Sequence, residues 1–75
     1  MSVVTNLAEE LEIRLKRNKL TKAWLIEQMR KKGADISFWK FYNFTTPGRM
    51  EESRAEGYLK MCHDIIDNYE KQMNV

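Results

Sequence analysis

Cys62 and His63 are the only thiol and the only imidazole in the 75-residue chain, and they are adjacent. On a helix, neighbouring side chains project about 100° apart. The two groups therefore cannot act on a common atom, and Cys62 falls in an apolar stripe where a thiol is an inert core residue. Asp64 and Asp67, in "DIID", mark the wet side of the same segment. No carboxylate pair set for acid-base work, glycine loop for phosphates or metal-ligand cluster stands out in the remainder. Catalysis is not the expected activity, and no cofactor or metal is expected.

The chemistry that remains is electrostatic and aromatic. Residues 1–49 hold ten Lys/Arg against five acids (+5), whereas residues 50–75 hold three against six (−3). A polyanion would be drawn to the first two thirds. Within them lies "DISFWKFYNFTTPG", in which the seven positions from Phe38 to Phe44 include five aromatics, one lysine and one asparagine. Such a run serves as core, as a stacking surface or as the exposed side of a recognition element.

Which of these applies depends on the elements that position it. A 43% hydrophobic and 32% charged composition is that of one folded domain. At this size the core is marginal, and dimerisation is an expectation from length alone. A single cysteine cannot close an internal disulfide, and no stretch reads as a signal peptide or membrane span. A cytoplasmic protein is expected.

The apolar spacing is helical almost throughout. Leu7, Leu11, Ile13 and Leu15 predict a first helix over about 6–17, capped by Asn6, with Glu9 and Glu10 near its positive end. Thr21 caps a second over about 21–32, which carries Trp24, Leu25, Ile26 and Met29 and stops at Gly33. Asp35 or Ser37 caps a third over about 37–45. Phe41 and Phe44 face inward with Phe38 on the same side, and Trp39, Lys40, Tyr42 and Asn43 lie on the other arcs. Pro47 and Gly48 end it. A long amphipathic fourth helix over about 50–71 follows, and the second half of its stripe, Ile65, Ile66, Tyr69 and Met73, is the natural place for a homodimer contact. Folding back of those residues onto the first helix is the alternative.

"LEIRLKRNKLTKAWLIEQM" resembles the opening of the lambda-repressor-like, or Xre/Cro, helix-turn-helix family. In that family a charged first helix is followed by a Leu-Thr start to the second, here Leu20 and Thr21, with Leu25 and Met29 at its buried positions. "AWLIEQMRKKG" is similar to a branch found in small phage and mobile-element regulators, where the second helix runs about one turn longer before the glycine, here Gly33. Gly48 and Arg49 match the pair that commonly closes the recognition helix. Ile26, in place of a small residue, Lys22, in place of the frequent Gln, and the aromatic third helix depart from the pattern. The resemblance implies an all-α domain of four or five helices with a long C-terminal helix. It also implies a transcriptional regulator of Cro or repressor type that binds double-stranded DNA.

On that reading Trp39, Lys40, Tyr42 and Asn43 are candidates for base contacts. Asn43 can pair with adenine, Lys40 can donate to guanine, and the rings can contact thymine methyls. Lys22, Arg30, Lys31, Lys32, Ser37 and Arg49 are candidates for phosphate contacts. Two copies on a twofold axis would read half-sites about 34–36 Å apart. The rival expectation is a helical protein-binding modulator, an antirepressor or host-factor inhibitor, that uses the same aromatics as interface anchors. Stacking on single-stranded nucleic acid is a third possibility, although short helices seldom build the extended platform it needs.

Overall fold

The computed structural model describes residues 2–73, which form four helices: α1 (Val3–Arg17), α2 (Lys22–Lys31), α3 (Phe38–Thr45) and α4 (Glu52–Met73). The long C-terminal helix α4 touches each of the other three and is the spine of the domain. Its 22 residues correspond to about 33 Å at 1.5 Å per residue. No described helix is long and apolar enough to cross a membrane.

Each start has a chemical reason. Ser2, rather than Asn6, caps α1, because its hydroxyl accepts from the Thr5 N–H at 3.1 Å and lets the helix begin one turn earlier than the apolar pattern predicts. Asn6 therefore lies inside the helix, and Glu9 and Glu10 fall beyond its first turn. Thr21 caps α2 by accepting from Trp24 N–H at 3.0 Å. Ser37, not Asp35, caps α3, accepting from Lys40 N–H at 3.1 Å.

The stops use left-handed backbone. Gly33 (φ 91°) follows α2 and Gly48 (φ 85°) follows α3, both in the region that glycine occupies without penalty. At the end of α1 the same job falls to Lys19 (φ 58°), with Leu20 N–H donating to Leu15 O at 2.8 Å and Lys19 N–H to Lys16 O at 3.1 Å. A lysine with a Cβ is strained there.

Val4, Leu11 and Leu15 of α1 meet Leu25, Ile26 and Met29 of α2, Phe41 and Phe44 of α3, and Ala55, Leu59, Cys62, Ile65 and Ile66 of α4 in one core. Ile36, in the turn between α2 and α3, is fully buried and joins it. Two inward assignments from spacing and the expected dimer contact are corrected. Ile13 is 61% exposed, because two residues past Leu11 lies about 200° around the helix. Phe38 is 62% exposed, because each i, i+3 step drifts by about 60° and two of them carry it off the side defined by Phe44. Ile65 and Ile66 are buried within the monomer, so they offer no surface to a second copy. Of the expected dimer contact, α4 leaves Tyr69, half-buried edge-on against Trp24 at 5.4 Å, and exposed Met73.

A polar seam holds α1 to α4. The Arg14 guanidinium donates to Asp67 at 2.6 Å, to Glu70 at 2.9 Å and to His63 Nδ1 at 3.1 Å. A guanidinium has no acceptor. His63 Nδ1 is therefore the acceptor, and its ring proton sits on Nε2, donating to Leu7 O at 3.0 Å. Asn18 Nδ2 donates to Glu70 Oε2 at 2.8 Å, and Arg17 reaches the same carboxylate at 3.4 Å. Part of the opposite charge carried by the two ends of the sequence is thus paired inside the domain.

Candidate nucleic-acid interface

Helix α3 is held from below and open above. Phe41 and Phe44 anchor it, with ring centroids 5.0 Å apart, and Phe44 stacks on Tyr58 of α4 at 5.2 Å. These anchors and the Ser37 cap fix the rotation of an eight-residue helix that has little length to hold itself together. Its outer side carries Phe38, Trp39 and Tyr42, 62%, 64% and 48% exposed. Trp39 and Tyr42, one turn apart, stack with centroids 5.7 Å apart and planes 25° from parallel.

Arg49 folds back from the loop after α3 onto this surface. Its guanidinium carbon lies 5.4 Å from the Trp39 ring and 5.2 Å from the Tyr42 ring, within cation–π range of both. Its Nε donates to Asn43 Oδ1 at 3.3 Å. Four residues from two segments therefore form one cluster: exposed Trp39, Tyr42 and Arg49 with half-buried Asn43. The Asn43 oxygen keeps a second lone pair and its Nδ2 both hydrogens, so the bond from Arg49 orients the amide without using up its capacity to pair with an adenine.

Lys40 belongs elsewhere. Its ammonium sits 5.2 Å from the Tyr58 ring centroid and reaches Asp35 O at 3.4 Å, so it flanks α4 instead of standing beside Trp39 and Tyr42. Hydrogen bonding with Lys40 lowers the Tyr58 phenol below its ordinary value, although burial works the other way. Phe38, which spacing assigned to the core, takes a place on the outer side. The i, i+3 drift over two steps was the signal for it, since Phe38 lies about 120° around the helix from Phe44.

The candidate phosphate contacts divide in the same way. Lys22, Lys31 and Lys32 are exposed and enter no ion pair among the described residues. Lys31 and Lys32 end α2 and lead into the turn before α3. Lys22 shares a shallow groove with Phe41, Thr45 and Pro47, at the far end of α3. As the first residue of α2, Lys22 faces the positive end of the helix dipole, a position that disfavours a cation by a few tenths of a kcal/mol. Arg30 is partly engaged, its Nε donating to Ile36 O at 2.8 Å and bracing the turn. The Ser37 hydroxyl accepts from the helix backbone and keeps its own proton to donate.

The groups with catalytic potential are otherwise occupied. Burial pushes the Cys62 thiol up to about 12, and its Sγ lies 3.7 Å from Met29 Sδ in the core. His63 is engaged at both ring nitrogens. Among the described residues no group of three or more His, Cys, Asp or Glu is placed to hold a metal ion.

No protein-family model, curated protein or solved structure matches this chain.

Proposed function

We propose that this protein is a small double-stranded-DNA-binding regulator of a phage or mobile element. In this reading α2, the turn containing Gly33 and Ile36, and α3 act as a lambda-repressor-like helix-turn-helix, with α3 in the major groove. The observation that carries it is an exposed helix anchored by Phe41 and Phe44, preceded in the chain by the exposed Lys31 and Lys32 and followed by Arg49, which lies against its outer rings. Backbone attraction of this kind positions a protein on a duplex, and the side chains between the cations then read base edges.

A second reading rests on the same surface. Phe38, Trp39 and Tyr42 are the residue types that dominate protein interfaces, and together they make an apolar patch suited to a protein partner. Salt separates the two. Fluorescence anisotropy with random-sequence duplex at about 50 and 200 mM salt should show affinity falling by orders of magnitude if several phosphates are contacted. No binding at the lower salt removes the DNA reading and leaves the protein-partner reading in place.

A further inference from the structure

Resting on the DNA reading, we infer that α3 recognises thymine-rich major groove through the C5-methyl groups of its bases, with Trp39 and Tyr42 as the residues that cover them. Of the polar side chains on α3 suited to base edges, Lys40 is turned to Tyr58 and Asp35, and the Asn43 carbonyl is held by Arg49. The exposed side chains of the crest are the stacked Trp39–Tyr42 pair, with Arg49 laid against both rings, and Phe38 beside them.

In the major groove, the thymine methyl is the apolar feature an unmodified base pair offers to such a surface. Arg49 fits the same arrangement. Its guanidinium lies over both rings and brings a positive charge to the rim of the apolar patch, where a phosphate of the same duplex can meet it. An apolar crest with a guanidinium at its rim matches a methyl-lined groove bordered by phosphates.

The methyl group can be removed without changing charge or Watson–Crick pairing. The full chain is titrated against four duplexes of equal length: alternating dA·dT, alternating dA·dU, alternating dG·dC, and the same dG·dC polymer carrying 5-methylcytosine. Covering one methyl contributes about fourfold in affinity, from about 0.8 kcal/mol per apolar carbon removed from water. Binding should therefore weaken by at least about fourfold from dA·dT to dA·dU and strengthen from dG·dC to its methylated form. Trp39→Ala and Tyr42→Ala, both at exposed positions that the core does not need, should erase these differences while keeping the salt dependence.

Equal, salt-sensitive affinity for dA·dT and dA·dU overturns methyl recognition while leaving DNA binding intact. A methyl preference that survives in the double variant Trp39→Ala/Tyr42→Ala overturns the assignment to these rings. Binding to none of the four duplexes overturns the inference together with the reading beneath it, and capture of a protein by the aromatic patch would then be the remaining function.

Discussion

Arg14 of α1 and Glu70 of α4, 56 residues apart in the chain, meet at 2.9 Å in a seam that also takes in Asp67 and His63. Burial works against the Arg14 charge, yet hydrogen bonds to Asp67 and Glu70 outweigh it and hold the guanidinium above its ordinary value. Arg14→Ala leaves His63 and both carboxylates without their shared donor, and should lower stability by about 2 kcal/mol. Arg17→Ala removes an exposed pair with the same Glu70 and should cost less than about 0.5 kcal/mol. Urea midpoints of the two variants test the contrast, and equal losses would mean the seam is ordinary surface.

Glu70 makes this stability pH-dependent. Its carboxyl is held below the ordinary carboxylate range, first by the hydrogen bond from Asn18 and then by that from Arg14. Between the lowered folded value and the ordinary value of about 4.3, the unfolded chain binds more protons than the folded one. The contribution is therefore complete at neutral pH and is lost as pH falls below about 4 and through the folded value. Glu70→Gln should flatten the acid limb of an unfolding curve measured from pH 7 to pH 2. An unchanged limb would show that other carboxylates govern it.

The left-handed backbone at Lys19 marks a position where strain can be relieved. Lys19→Gly should raise the urea midpoint, by about 0.5–1 kcal/mol in stability, because glycine adopts this φ without a Cβ penalty. Gly33→Ala should act in the opposite sense by about 1 kcal/mol, from φ alone, since an added Cβ there meets nothing within 4 Å. A stabilised Gly33→Ala would contradict the stated cause.

The cations that close α2 just before α3 are separable from those of the seam. Lys31→Ala and Lys32→Ala should each reduce the slope of log affinity against log salt by about 1, equally for all duplex sequences. Arg17→Ala, on the seam to α4, should leave that slope unchanged. Slopes that fall equally in all three variants would deny α3 a special role in DNA attraction.

Cys62 should be silent to thiol reagents in the folded protein, because the thiol is buried in the core and its pKa is raised to about 12. Labelling with an aromatic disulfide should proceed only through global unfolding, at a rate that rises with urea in step with the unfolded fraction. Rapid stoichiometric labelling in buffer would place this thiol at the surface.

Helix number, order and most of the core were legible in the sequence because a 3.6-residue period, capping residues and a Pro-Gly break are local signals. Thr21, Gly33, Pro47 and Gly48 each act on the few residues around them, and Phe41 and Phe44 carry enough apolar bulk that burial was their only economical location. The candidate site was legible as a segment, not as a surface. Which of its side chains face out depends on the rotation of α3, and that rotation is set by Tyr58, 14 residues further along the chain, stacking on Phe44. The same stack lies beside Lys40 and draws it away from the outer side, while Phe38 turns onto it. The fate of Ile65 and Ile66 was equally undecided by periodicity, because an apolar stripe satisfies a second copy and the chain's own α1 and α2 alike. Packing of three shorter helices around one spine decided it, burying both isoleucines within the monomer.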